Sequence, residues 1–321
     1  MFPPPEKIVV VTRKTSLEEL VERHNSREQA RFYVEARGAT FADYEAEHDS
    51  YQRALGTLRG ALATALPASV RVQWIERDFL PQFVFGERDL IVALGPDGLV
   101  VNIAKYLDTQ VLVAFNPDPA RYYGVLLPFA VWLAEPVLRR ASRGQGMVSR
   151  LTMARCVLND GQEMLALNDL FLGRRGHASA RYGLKLNGQS ENQSSSGLIV
   201  STGAGSTGWL RSIVTGAARV MQGFGDAAVA PDEENGERAR FGWDEERLQF
   251  SVREPFVSKT SGAQLVWGRI ESGEHLEVTS QIPQDGAIFS DGIESDFLEW
   301  NIGSIARVEV AGRKLHLLTG S

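Results

Sequence analysis

The chain has 321 residues, 43% of them hydrophobic and 23% charged, with a net charge of −6 at pH 7 and a single cysteine. That length predicts two domains with full cores; one cysteine excludes a disulfide scaffold and a cysteine-based zinc site, and the acidic balance argues against nucleic acid as the main partner. No apolar run reaches the roughly 20 residues of a membrane helix, and the start, MFPPPEKIVVV, has neither a basic and apolar secretory leader nor an Arg- and Ser-rich transit sequence, so the expectation is a cytoplasmic protein.

In chain order, Lys7–Thr12 (KIVVVT) reads as a strand. Ser16, Leu17, Glu18 and Glu19 form a capping-box pattern that opens a helix, and residues 40–43 repeat it before a second helical stretch. Strands follow at 70–75, 90–94 and 110–115, with helices over 99–107 and 128–140. Strands separated by helical segments predict βαβ units and a parallel, Rossmann-like sheet. From residue 149 the texture changes. Asn159-Asp160-Gly161, Asn187-Gly188 and Ala311-Gly312 read as hairpin turns. Strands are expected at 149–158, 164–172, 180–186, 197–202, 247–253, 264–270, 275–280 and 306–318, with one helix after Trp209. The polar, Gly/Pro-punctuated segment 222–246 reads as a surface excursion. The division is therefore an α/β domain over 1–145 and a β-rich domain over 146–321. Cys156, within LTMARCVL, is expected to be a core thiol.

Several constellations carry chemistry. IVALGPDGLV (91–100) is a strand, a glycine-flanked turn and the start of a helix. Its Asp97 sits where open α/β sheets bind ligands, although the local sequence equally allows a helix cap. Arg13 and Lys14 end the first strand and are similarly placed to meet phosphate. GLIVSTGAGSTGW (197–209) spaces Gly203, Gly205 and Gly208 as G-x-G-x-x-G, with Asp226 where a ribose-binding acid would be sought. Small residues here let the backbone approach a ligand, and Thr202, Ser206 and Thr207 supply hydroxyls. A plain dinucleotide βαβ unit and a ligand-free tight turn are the alternatives at this loop. Asn168 and Asp169, in ALNDLFLG, put an amide and a carboxylate beside an apolar run. No G-x-x-x-x-G-K-[ST] occurs, which excludes a P-loop, and His24, His48, His177, His275 and His316 have no metal-ligand spacing.

The order GPDG, Asn-Asp, SGLIVSTGAGSTGW, then IFSDG resembles the NAD kinase family, which shows G-G-D-G-T, Asn-Glu, a Gly/Ser/Thr-rich loop and a late Asp-Gly. The likeness is nearest to the mitochondrial-type members, through VVTRKT at 10–15, the LN-acid-xFxG stretch at 167–173, SSGL at 195–198, TGxGS at 202–206 with Trp209, and FSVREP at 250–255. The resemblance implies a two-domain fold, α/β then β-rich. It implies transfer of the γ-phosphoryl of ATP, with Mg²⁺ or another divalent cation, to the 2′-hydroxyl of the adenosine ribose of NAD. By the same resemblance Asp97 orients or deprotonates that hydroxyl, beside Gly95 and Gly98. Asn168 and Asp169 hold the NAD ribose and amide end. Thr202, Ala204, Thr207, Gly208, Trp209 and Ser212, with Gly203, Gly205 and Ser206 of the same loop, line the dinucleotide pocket. Ser196 stands where bacterial members often carry aspartate, and Asp291 matches the late acid. A homodimer, acting on small molecules and without membrane or nucleic-acid partners, is implied as well.

The departures gather at one turn. Gly-Gly-Asp-Gly-Thr has become Gly95-Pro96-Asp97-Gly98-Leu99, losing a backbone N–H and a hydroxyl, and Asn-Glu has become Asn-Asp. A catalytically impaired NAD(P)-binding relative is therefore the competing expectation, and a kinase for another hydroxyl the third.

Overall fold

The computed structural model describes residues 2–225, 237 and 239–320. The chain divides into two compact units, Met1–Ser149 with His316–Ser321, and Arg150–Leu315.

The first unit contains β1 (Lys7–Thr12), α1 (Ser16–His24), α2 (Arg27–Glu35), α3 (Phe41–Ala65), β2 (Arg71–Glu76), β3 (Asp89–Leu94), α4 (Asp97–Ala104), β4 (Val111–Asn116), β5 (Phe129–Ala130) and α5 (Ala134–Ala141). Its sheet runs β2-β1-β3-β4 and every pair is parallel. β3 and β4 are buried along their whole length, as unbroken apolar strands covered on both faces must be. α3 turns Tyr51, Ala54, Leu58, Ala61, Leu62 and Ala65 onto this sheet at helical spacing, and α5 adds Ala134, Val137, Leu138 and Ala141.

Local chemistry shifts several expected boundaries. The capping box of α1 lies one residue earlier: the Thr15 side chain accepts the Glu18 N–H, and Glu18 reciprocates on the Thr15 N–H. Thr40 does precede α3, but its side chain makes no cap bond. Over 128–140, the first residues pair as β5 and a 3-10 turn follows, so the α-helix starts only at Ala134. Pro136 is tolerated in a helix only within its first turn, which agrees with that start. α4 begins at Asp97, two residues before the expected point.

The remaining elements are β6 (Met147–Leu158), β7 (Glu163–Ala166), β8 (Asp169–Arg174), β9 (Ala180–Leu186), β10 (Gln189–Ser195), β11 (Leu198–Ser201), α6 (Trp209–Gly223), β12 (Arg247–Val252), β13 (Trp267–Glu271), β14 (His275–Ser280), β15 (Gly286–Ser290), β16 (Ile293–Glu299) and β17 (Ile305–Gly320), all of the second unit except the first three residues of β6 and the residues of β17 from His316 on, which belong to the first. One sheet, β13-β12-β11-β8-β15-β16, is antiparallel throughout. A second antiparallel run, β10-β9-β14-β17, packs against it through Leu170, Leu172, Tyr182, Leu184, Phe250, Val278 and Trp300. The fold is thus an α/β unit with a parallel sheet and a separate β-rich unit.

Asn187 and Gly188 both have positive φ (49° and 79°), as a two-residue type I′ hairpin requires. Ala311-Gly312 does not turn: β17 runs through it, with Ala311 buried. The expected strand at 164–172 is two strands parted at Leu167 and Asn168, which frees that pair for a site. The Cys156 thiol is buried and pushed up to about 12 by its surroundings. Among the described residues no helix is long and apolar enough to cross a membrane.

Candidate functional site

In the first unit, β3 ends at Leu94 and the Gly95 N–H reaches the Phe115 carbonyl at 3.4 Å. Pro96 is the N-cap residue, with φ −71° and ψ 171°, so its ring fits without strain. Asp97 is the first helical residue of α4 and not its cap. Instead Oδ1 accepts the Leu126 N–H at 2.6 Å, which fixes the carboxylate while leaving acceptor capacity on the other oxygen. The helix-cap alternative is therefore not the arrangement adopted. Leu99 is 3% exposed, so its side chain belongs to the core. Gly98 has open space around its missing Cβ, and the first N–H groups of α4 beside it are a favourable place for an anion.

Arg13 is occupied. Its guanidinium forms an ion pair with buried Glu47, donates to the Tyr122 hydroxyl at 2.8 Å and to the Lys14 carbonyl at 2.9 Å. Lys14 pairs with Glu22 at 2.6 Å, which holds its ammonium above the usual lysine range. The Tyr51 hydroxyl donates to the Leu94 carbonyl and accepts the Arg13 N–H, both at 3.2 Å, and so ties the ends of β3 and β1 together. Glu47 and Tyr51 escaped the sequence reading, although an acid four residues from a tyrosine on the apolar face of α3 was a usable signal.

In the second unit, Asn168, Asp169, Thr202, Gly203, Ala204, Gly205, Ser206 and Asp291 come together. Asp291 has φ 58°, and its carboxylate accepts the N–H groups of Leu167 (3.2 Å), Asn168 (2.7 Å) and Asp169 (3.3 Å). Its own N–H donates to the Asp169 carbonyl at 2.8 Å. Asp291 is thus a clasp on the β7–β8 break. Thr202 locks the facing loop: Oγ1 donates to the Leu167 carbonyl at 2.5 Å and accepts the Gly205 N–H at 3.2 Å. Ser206 donates to the Gly203 carbonyl at 2.7 Å and accepts the Phe241 N–H at 3.4 Å. A Cβ on Gly205 would lie 2.2 Å from the Asn168 carbonyl oxygen and 2.7 Å from Asp169 Oδ1, and one on Gly203 would lie 2.0 Å from the Gly242 carbonyl. Both glycines are demanded by close backbone approach.

Two polar atoms at this cluster have no partner: Asn168 Oδ1 and Asp169 Oδ1, each buried. Buried acceptors left open are costly and uncommon, so a donor-bearing ligand fits here. Burial pushes the Asp169 carboxyl up to about 7; the Ser201 hydroxyl opposes that shift and the Asp291 charge adds to it. Ser196, Gly208 and Ser212 are exposed, and Thr207 and Trp209 half-buried. Trp209 stacks on Phe171 at 5.6 Å, Phe171 on Phe289 at 6.1 Å, and Arg253 lies 5.2 Å from the Trp209 ring. The row was not anticipated, because β15, which carries Phe289, was missed.

The G-x-G-x-x-G segment is not part of a βαβ unit: β11 lies between antiparallel β8 and β12, and Gly205–Thr207 form a 3-10 turn before α6. Asp226 lies outside the described residues, as do 227–236 and 238 of the 222–246 excursion.

No protein-family model and no curated protein matches the chain. Solved structures do. A yeast NADH kinase, crystallised with NADH, is similar with a TM-score of 0.59 at 13% identity, over 99% of this chain and 84% of that one. An Archaeoglobus fulgidus NAD kinase, crystallised with ATP, is similar with a TM-score of 0.59 at 17% identity, over 98% of this chain and 94% of that one. The fold is that of the NAD kinases.

Proposed function

We propose that the chain is an NAD kinase, transferring the γ-phosphoryl group of ATP to the 2′-hydroxyl of the adenosine ribose of NAD. The observation that carries the reading is Asp97, held at the carboxyl edge of a parallel sheet by the Leu126 N–H, in a fold shared along nearly its whole length with NAD kinases. The similar structures' NADH and ATP support a dinucleotide and a nucleoside triphosphate as ligands.

In this reading the Leu126 N–H orients the Asp97 carboxylate, and the remaining oxygen accepts the proton of the 2′-hydroxyl as its oxygen attacks the γ-phosphorus and the bridging oxygen leaves with the diphosphate. Gly98 and the start of α4 face the phosphates. Asn168 and Asp169 meet the ribose and amide end of NAD with their open acceptors. Ser196, Thr207, Gly208, Trp209 and Ser212 form the accessible wall. Thr202, Gly203, Ala204, Gly205, Ser206 and Asp291 shape the loop, Arg13 braces through Glu47, and Lys14 is the cation nearer solvent. Among the described residues no three His, Cys, Asp or Glu side chains gather as a metal cage. Mg²⁺ usually needs only one or two carboxylates beside substrate phosphates, so it would arrive on the donor. It would there neutralise charge on the transferred group. Residues 1–145 act as the nucleotide domain and 146–321 as the NAD-binding domain of a cytoplasmic homodimer.

A second reading, NAD(P) binding without turnover, is favoured by the missing Pro96 N–H and by the Leu99 side chain lying in the core. NADP formation from NAD, ATP and Mg²⁺ separates the two. Steady product supports the kinase; dinucleotide binding by calorimetry with no product from any donor supports the second.

A further inference from the structure

Between β4 and β5 the chain makes a loop, residues 117–128, whose two ends are pinned together, because Phe129 and Ala130 pair with Phe115 and Asn116. This loop carries the Leu126 N–H that meets Asp97 Oδ1 at 2.6 Å, so whatever fixes the loop also fixes the direction of that carboxylate. Bonds to its root hold the first half. Asn116 Oδ1 accepts the Asp118 N–H at 3.0 Å, Asn116 Nδ2 donates to the Tyr122 carbonyl at 3.0 Å, and the Asp118 carbonyl accepts the Tyr122 N–H at 2.9 Å. Gly124 then turns the chain with φ 71°, and a Cβ there would lie 2.6 Å from Asn116 Nδ2. The Leu127 N–H closes the turn on the Gly124 carbonyl at 3.2 Å, which leaves Leu126 and Leu127 buried.

The Tyr122 side chain ties this loop to the rest of the unit. Its hydroxyl accepts from Arg13 at 2.8 Å and donates to Glu47 at 3.1 Å. Arg13 and Glu47 are themselves an ion pair, and Glu47 also accepts the Ser16 N–H at 3.0 Å. Arg13 directly follows β1 and Glu47 lies on α3, so one hydroxyl joins the loop to two elements that the core holds in place. A buried ion pair adds little net stability over apolar residues of similar volume. What this pair does is hold a hydroxyl between one donor and one acceptor, in a single orientation.

We propose that Tyr122 is a positioning residue for the transfer: clamped by Arg13 and Glu47, it holds the 117–128 loop so that the Leu126 N–H aims the Asp97 carboxylate. Tyr122 acts through Asp97 and not by touching either ligand. Arg13, whose place after the first strand suggests a phosphate contact, serves the orientation of Asp97 instead. The assignment rests on the kinase reading for the role of Asp97, and on the hydrogen bonds alone for the clamp.

The test measures NADP formation, and hydrogen exchange over residues 117–128, in the full chain for wild type, Tyr122→Phe, Asp97→Asn and the variant carrying both changes. Tyr123→Phe, at a neighbour that is 97% exposed, is the control and is expected to match wild type. Tyr122→Phe keeps the ring and the Arg13–Glu47 pair and removes only the hydroxyl. It is expected to lower kcat about tenfold, with the KM for NAD and for ATP within about twofold, and to speed exchange of the loop amides. On top of Asp97→Asn the same substitution is expected to change the rate by less than about twofold, because no base remains to be aimed. An equal loss in both backgrounds is the mark of a merely structural residue and overturns the assignment. A raised KM with kcat retained overturns it too, since Tyr122 would then be a ligand contact, as do wild-type kcat and wild-type loop exchange in Tyr122→Phe. If wild type itself forms no NADP, the kinase reading ends; faster loop exchange in Tyr122→Phe would still establish the clamp, and unchanged exchange would end that as well.

Discussion

Leu99 fills the space that a side chain on Gly95 would need: a Cβ there would lie 2.8 Å from Leu99 Cδ2 and 3.2 Å from Leu99 Cβ. The leucine is a core residue that the glycine admits, and the turn around Asp97 is built on that contact. Leu99→Thr is expected to lower stability by about 1–3 kcal/mol, because it trades buried apolar area for a hydroxyl in an apolar site. NADP formation is expected to stay within about threefold, since the new hydroxyl points into the core. Urea denaturation and the kinase assay check the two halves; a tenfold gain in rate would show that the missing hydroxyl limits turnover.

Arg13 and Glu47 form a buried pair, Glu47 being 6% exposed. Arg13→Ala leaves that acid uncompensated and is expected to cost about 3–5 kcal/mol in chemical denaturation. Adding Glu47→Gln to it is expected to cost less than the two single changes summed, because the second substitution removes the stranded charge. Additive losses would mean that the two residues act separately.

Asp169 gives a pH signature. Its folded pKa, about 7, lies above the ordinary carboxylate value, so the folded chain holds a proton that the unfolded chain releases. Its contribution to stability is full below the ordinary value and falls as pH rises toward 7. At about 1.4 kcal/mol per pKa unit the loss is about 4 kcal/mol at most. Asp169→Asn, which cannot ionise, is expected to gain on wild type steadily between pH 4 and pH 8 when unfolding free energies are compared. Parallel pH curves would place the carboxyl in a wetter setting.

Gly205→Ala would drive a Cβ into the Asn168 carbonyl and the open Asp169 oxygen together. It is expected to abolish NAD binding by calorimetry and to destabilise the chain by about 1–3 kcal/mol. Gly216→Ala, inside α6 and with nothing within 4 Å of the added Cβ, is the control and should retain the stability of wild type.

Strands β1, β3 and β4 of the first unit were legible because each is a continuous apolar run with helical punctuation, whereas β2, RVQWIE, is an exposed edge strand legible only from its alternating Val72, Trp74 and the flanking polar residues. β10 was not, since QSENQSS has no apolar alternation; its place rests on a backbone ladder to β9 and on the Tyr182–Ser195 hydroxyl pair at 2.7 Å. The Ala311-Gly312 hairpin was misread because Gly312 sits in an extended strand with open space at its Cα, a use of glycine that no local pattern distinguishes from a turn. Among the site residues, Asp97, Asn168 and the 202–208 loop could be picked from their residue types. The engagement of Arg13 by Glu47 and the clasp of Asp291 on three N–H groups depend on pairings 34 and more than 120 residues apart, which spacing alone does not reveal.

The most direct measurement is NADP formation from NAD, ATP and Mg²⁺ by wild type and Asp97→Asn at matched folding. Asparagine can keep the hydrogen bond pattern in part but cannot take a proton, so the rate is expected to fall about 10²–10⁴-fold with NAD affinity retained. Equal rates from the two proteins would contradict the placing of Asp97 as the base of the transfer.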